Sequence, residues 1–260
     1  MRPRNEAKGD SSHWSGGGFG GLELWLIDLD AAASALLNLE QKTQRLPQCD
    51  RDYAATIVDK RRANEWSAAH VALRILLERA VGENWRGKPF VREAGAKPYF
   101  GGAPVTFSLS HVPGRSLVGV CNVEPLGVDL ERTRVVNIRE PRRTMLERAA
   151  AVLGEEASLP VRGDARTLQS WVRLEALAKS DGRGIGRLLT QLGIVGTSSA
   201  CGEAFNKRLG DVKQLVSPCA VFDLKIAEGF FAAAAVPAGV QRPTVLKFPA
   251  SVEGIQELLS

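Results

Sequence analysis

The chain is 260 residues long, 44% hydrophobic and 24% charged, with a formal net charge of +5, enough for one large domain or two small ones around a real core. No stretch approaches the roughly 20 apolar residues that span a bilayer; the nearest, Phe230 to Val236, is closed by Pro237, so no membrane association is expected. The positive balance suits an acidic partner, whether nucleic acid, a phosphorylated ligand or an acidic protein surface. The basic residues are dispersed, with short clusters at Lys60-Arg61-Arg62 and Arg142-Arg143 and no aromatic-interleaved stripe, which counts against nucleic acid.

In chain order, residues 1–20 run into Gly16, Gly17 and Gly18 without an apolar segment, and read as a disordered tail with no secretory signal. Leu22 to Leu29 has a strand pattern, Ala31 to Leu39 a helical one, and Glu65 to Val81 a longer helix with apolar residues three and four apart. Val105 to Ser110 and Ser116 to Asn122 then form a hairpin about Pro113-Gly114, where proline fixes φ and glycine permits the reversal. Cys49, Cys121, Cys201 and Cys219 are scattered with no CxxC pair; this fits a reducing compartment, the cytoplasm, and argues against a structural zinc.

The second half echoes this order. Val128-Asp129-Leu130-Glu131 repeats the pattern of Ile27-Asp28-Leu29-Asp30, Trp171, Glu175 and Lys179 recur every fourth residue as do Trp66, His70 and Arg74, and Phe222, Leu224 and Gly229 keep the spacing of Phe107, Leu109 and Gly114. Ordinary strand-and-turn grammar could produce each match. Together they predict an α+β fold of two similar α/β halves, residues 21–125 and 126–240, in a pseudo-twofold arrangement, with the active site at their junction and residues 241–260 as a C-terminal extension.

Several residues in this frame could do chemistry. Asp129 and Glu131 are two apart in a strand, so both carboxylates share a face; they fit either a solvated strand end or a hard divalent cation shared with substrate phosphates. Glu175 and Lys179 share a helix face with Trp171, as a surface ion pair or as part of a site. The glycines at 182, 184 and 186 follow a helix rather than a strand, so they read as a helix stop and not a dinucleotide loop. Ser110 and His111 end a strand beside the turn, able to bind phosphate or to satisfy turn amides, and Lys97 projects from a segment stiffened by Pro98. His70, mid-helix between apolar residues, reads as a packed residue rather than a ligand.

Four segments, Gly95-Ala96-Lys97-Pro98, Phe107-Ser108-Leu109-Ser110-His111, Gly127-Val128-Asp129-Leu130-Glu131 and Trp171 through Gly184, joined by the helix around Ala68 to Arg74, resemble in content and order the motifs of the Sfp-type 4′-phosphopantetheinyl transferases. The resemblance implies an internal pseudo-dimer, and so a monomer, holding coenzyme A and magnesium between its halves. Asp129, Glu131 and Glu175 would bind Mg2+, and Lys97, Ser110, His111 and Lys179 would contact coenzyme A. The implied reaction moves the phosphopantetheine arm onto a serine of an acyl or peptidyl carrier protein, acidic in this family, and releases 3′,5′-ADP. Asp129, Glu175 and Lys179 would be catalytic, with Glu175, directly or through a metal-bound water, taking the serine proton.

Two positions depart from the family. Leu174 stands where members often carry lysine, with Arg173, able to hold phosphate but a poor base, just before it. Restoring lysine at 174 is expected to be tolerated. Glu65 stands where an arginine tends to meet the 3′-phosphate, leaving Arg61 or Arg62 to supply that charge. These departures motivate an alternative, a catalytically weak member that binds coenzyme A or a carrier without transfer; a basic nucleic-acid-binding protein is the other.

Overall fold

The computed structural model describes residues 21–93, 96–103, 105–154, 160, 162–195, 205–206, 208–210 and 218–260; the expected tail at 1–20 and Gly95 of the lysine segment lie outside them. The protein is a mixed α+β structure with two sheets. Strand β1 (Leu22–Asp28) leads into α1 (Leu29–Lys42), α2 (Gln48–Thr56) and α3 (Lys60–Val81), followed by the hairpin β2 (Thr106–Val112) and β3 (Arg115–Cys121). Then come β4 (Gly127–Arg132), α4 (Glu140–Ala151), α5 (Gly163–Asp181), α6 (Ile185–Gln191), the hairpin β5 (Cys219–Asp223) and β6 (Phe230–Pro237), β7 (Val245–Lys247) and α7 (Val252–Leu259).

Local chemistry sets these limits. Asp28 caps α1 by accepting from the Ala31 amide at 3.2 Å, and Asp59 caps α3 by accepting from that of Arg62; a carboxylate there satisfies a helical N–H and suits the helix dipole. This cap starts α3 at Lys60, one turn ahead of the Glu65 read from periodicity. Gly182, left-handed at φ 73°, closes α5 as the glycine pattern suggests. The β2–β3 hairpin turns at Gly114, φ 81°, and β2 continues through His111 to Val112 because every residue from Thr106 on pairs with β3.

The sheets have strand orders β2-β3-β1-β7 and β4-β6-β5, so β3 and β6 hold corresponding central places. Alternation along the strands divides the core into three layers. Val118 and Val120 of β3 join Trp25 and Ile27 against α1 and α3. On the reverse face, Leu24 and Leu117 meet Val128, Leu130, Ala232 and Ala234 of the second sheet. Beyond that sheet Ala233 and Ala235 pack on α4 and α5. Since Val128 and Leu130 point between the sheets, Asp129 and Glu131 take the opposite face, the one beneath α5.

The helix comes unusually close there. A Cβ on Gly127 would lie 2.0 Å from the Ala176 carbonyl oxygen and 2.5 Å from the Ser180 amide nitrogen, so only glycine lets α5 rest on β4.

Two relations escaped the sequence. The strand echo is out of register: Asp28 lies opposite Arg115, the residue after Gly114, whereas Asp129 lies opposite Ala233, four past Gly229. Counted from the hairpin glycines, Trp25 and Ile27 occupy the places of Asp129 and Glu131. In addition, residues 241–260 return to the first half. There β7 pairs in parallel with β1, and α7 buries Ile255 among the side chains of α1 and α3. Among the described residues no helix is long and apolar enough to cross a membrane.

Candidate functional site

The edge strands β2 and β4 meet where the two sheets adjoin, and serine hydroxyls make the join. Ser108 Oγ accepts from the Val128 amide at 3.0 Å. Ser110 Oγ accepts from the Leu130 amide at 3.3 Å and donates to Asp129 Oδ1 at 2.8 Å. Both serines are buried. Alternate residues of one strand therefore grip alternate amides of the next through side chains, and Ser110 also fixes one oxygen of Asp129.

Asp129, only 4% exposed, receives a second donor on that oxygen, the Lys179 ammonium at 2.6 Å. Glu131, two residues on, reaches the rim and pairs with Arg134 at 3.4 Å. Glu175 leans toward this group from α5. Burial pushes its carboxyl up to about 6, the Asp129 charge adds to that, Lys179 opposes it and Glu131 contributes further. Three carboxylates and one ammonium thus share one electrostatic neighbourhood, drawn from β4 and α5.

An all-oxygen set of three carboxylates matches the preference of a hard divalent cation, and the repulsion that raises Glu175 is an excess of negative charge such an ion would relieve. The side chains stand apart, however: among the described residues no three His, Cys, Asp or Glu groups converge as a ready ligand cluster. Lys179 and Arg134 supply the local positive charge instead.

Beside the carboxylates a cleft of about 290 Å³ opens between the halves, lined by His70, Phe90, Arg92 and Lys97 on one side and Lys179 and Gly182 on the other. Lys97 is held by its ammonium, which donates to the Leu126 carbonyl at 2.6 Å and to Thr106 Oγ1 at 3.0 Å. Burial lowers its pKa to about 8, partly offset by the Glu124 charge. His111 lies at the exposed end of β2, its ring edge-on to His70 at 6.3 Å; desolvation and then the Lys179 ammonium hold its pKa below the usual histidine value.

Lys97, Ser110, His111, Asp129, Glu175 and Lys179 are therefore neighbours in one region, with Glu131 at its edge. Ser110 is turned into the seam. Of the two candidate arginines, Arg61 is committed to Glu65 at 2.9 Å and Asp30 at 3.5 Å. Arg62 makes no ion pair among the described residues, and its charge reaches His111.

Of the residues marked as departures, Glu65 stays close enough for its charge to act on His111, whereas Leu174 and the arginine before it lie elsewhere. Leu174 is fully buried in the core between α5, α4 and the second sheet, so lysine at this position would bring an ammonium into a hydrophobic layer, contrary to the tolerance expected from sequence. Arg173, 1% exposed, forms a two-pronged pair with Asp223 at 2.7 Å for each contact and is unavailable to phosphate. Arg92 was missed by the sequence reading; its only signal is its place just ahead of the Lys97 segment. No protein-family model matches the chain, and no curated protein matches it, so the function rests on the chemistry of this site.

Proposed function

We propose that the protein transfers the 4′-phosphopantetheine arm of coenzyme A to a serine of an acyl or peptidyl carrier protein, releasing 3′,5′-ADP. The observation that carries this reading is the placement of two lysines, Lys97 and Lys179, on the walls of a cleft that opens beside the carboxylates of Asp129 and Glu175. Cations facing the cleft suit the pyrophosphate, and carboxylates beside them suit a magnesium ion and a proton acceptor. The proposal includes the finer fold, two α/β halves about a pseudo-twofold axis, supported by their shared strand order. It also includes a cytoplasmic monomer acting on an acidic carrier.

Asp129, Glu131 and Glu175, which stand apart here, would have to draw together to hold the magnesium, which when bound would supply further neutralisation of the pyrophosphate. The protein's own groups do the rest. Lys179 and Lys97 bind and orient the diphosphate, with Arg62 and His111 toward the nucleotide. The carrier serine oxygen forms a bond to the phosphorus nearer the pantetheine, the bond from that phosphorus to the bridging oxygen breaks, and the electron pair leaves on 3′,5′-ADP. Glu175, poised near 6, is ionised at neutral pH and basic enough to accept the serine proton. Most of the acceleration comes from positioning and fixed charge, so no enzyme nucleophile is required.

The test is the intact mass of an apo acyl carrier protein after incubation with the protein, coenzyme A and magnesium, beside an EDTA control. A metal-dependent gain of one phosphopantetheine arm is the expected result. No gain on several carriers, with coenzyme A binding retained, overturns the transferase and leaves a binding protein.

A further inference from the structure

Where the cleft nears His111, free positive charge is scarcer than a phosphorylated nucleotide needs. The start of α3 and the ends of β1 and of the β2–β3 hairpin carry four carboxylates, Asp28, Asp30, Asp59 and Glu65, which absorb most of the basic residues beside them. Arg115 pairs with Asp28 at 2.6 Å and Asp30 at 3.3 Å, and Arg61 with Glu65 and again with Asp30. The N-terminus of α3 would attract a phosphate, but the Asp59 carboxylate already fills it as the cap. His111 adds no charge: desolvation and the Lys179 ammonium disfavour its protonated form, so at neutral pH it offers hydrogen bonding alone. Lys60 and Arg62 keep no ion pair among the described residues, and both are exposed, where water and salt weaken their pull.

Glu65 differs from the other three carboxylates. Its side chain is only 12% exposed, and its charge acts on His111. It directly precedes Trp66, on which the cleft residue His70 stacks. One of its oxygens accepts from Arg61 Nε at 2.9 Å. The other accepts no hydrogen bond among the described residues, yet it is not sealed from solvent. A shielded carboxylate with one oxygen to spare suits a hydroxyl donor and repels a phosphate. Dinucleotide sites are divided by the same chemistry, an acidic residue taking a free ribose hydroxyl and an arginine a phosphorylated one.

We propose that Glu65 selects a co-substrate whose ribose keeps a free 3′-hydroxyl, the 3′-dephospho form of coenzyme A, by accepting a hydrogen bond from that hydroxyl. The purine lies against His70 and Phe90, the diphosphate on Lys97 and Lys179, and the ribose beside His111 and Glu65. The inference rests on the transfer reading, since it names that reaction's preferred donor. Bond changes are the same: the carrier serine oxygen bonds to the phosphorus nearer the pantetheine, and the bond from that phosphorus to the bridging oxygen breaks. The serine proton passes to Glu175, and the electron pair leaves on adenosine 5′-monophosphate in place of 3′,5′-ADP. Coenzyme A itself remains a substrate, used less efficiently because its 3′-phosphate meets the carboxylate.

The test compares the two donors on the full chain with magnesium, binding being read by isothermal calorimetry and transfer by the intact mass of an apo acyl carrier protein. The unaltered protein is expected to bind 3′-dephospho-coenzyme A at least about tenfold tighter than coenzyme A, and to favour it in kcat/KM by a similar factor. Glu65→Gln is expected to erase most of that gap, and Glu65→Arg to reverse it. Glu65 makes a single surface pair, whose loss costs little stability, so both variants keep the fold. Equal or tighter binding of coenzyme A by the unaltered protein overturns the inference, as does a gap that survives in both variants, or binding of neither donor. A calorimetric preference that reverses in Glu65→Arg, with no transfer from either donor, upholds the selection by Glu65 and removes the transferase. Transfer from both donors with coenzyme A favoured keeps the transferase and overturns the role of Glu65.

Discussion

Helices α3 and α5 carry the same stripe, a tryptophan followed at four-residue steps by two polar side chains, yet they use it differently. On α3, His70 stacks on Trp66 with ring centroids 3.7 Å apart and shares a hydrogen bond with the Trp66 carbonyl. Arg74 is sealed between Asp50 at 3.1 Å and the face of Phe90 at 3.6 Å. On α5, Lys179 remains 30% exposed at the edge of the cleft while its ammonium holds Asp129. The strand beneath decides the difference: β1 offers Trp25 and Ile27 where β4 offers Asp129 and Glu131. Both stripes reach the cleft, through His70 and Lys179; a polar stripe becomes structural when its members are engaged by one another and by α2, and chemical when carboxylates lie under it.

The comparison can be broken most severely at Leu174. Its counterpart on α3 by the tryptophan alignment, Ala69, is also fully buried. Leu174→Lys is expected to lose about 4 kcal/mol by chemical denaturation, the cost of an unpaired buried charge; near-neutral stability would mean that α5 is rotated from the orientation described. Next is Gly127, whose counterpart is Glu23, bonded to Arg79 and Trp25. Gly127→Ala forces backbone apart where Glu23 needs no such approach, and a loss of about 3 kcal/mol is expected. An unchanged melting curve would refute the close contact of β4 with α5.

Asp129→Asn keeps the size and the acceptor oxygen for Ser110 but removes the charge. Transfer is expected to fall at least about a hundredfold, with little change in the melting temperature; wild-type transfer would exclude Asp129 from the reaction. The mildest effect sharpens the α3 side. Burial holds the pKa of His70 to about 4, with the Trp66 carbonyl opposing that shift. The unfolded chain therefore binds the extra proton between about 4 and 6.5, and stability falls as pH drops through that window. His70→Gln is expected to flatten that slope by up to about 1.4 kcal/mol per pH unit; an unaltered slope would show that His70 does not titrate there.

Periodicity in the sequence located much of this arrangement. Alternation put Asp129 and Glu131 on one face, the four-residue step put Trp171, Glu175 and Lys179 on another, and Gly182 marked where the helix stops. What periodicity cannot supply is the partner across space. Arg173 meets Asp223 fifty residues away, and Ser110 meets Leu130 through a seam between sheets; no local pattern encodes either. The misplaced Asp28 echo has the same origin, because a four-residue likeness carries no pairing register. Only the hydrogen bonds of β1 with β3 and of β4 with β6 set it. The α4 and α6 helices escaped for want of a strong apolar stripe in α4 and of length in α6.

The return of β7 to the edge of β1 affects how the chain can be divided. Residues 122–126 join the two halves, and a single cut there would separate β1 through β3 from a fragment that still carries one edge strand of the first sheet and the helix that buries Ile255 against α1 and α3. The two pieces would not be independent bodies. Each would hold part of the other's fold, so the nicked protein should stay assembled as a complementing pair, and its halves should melt together.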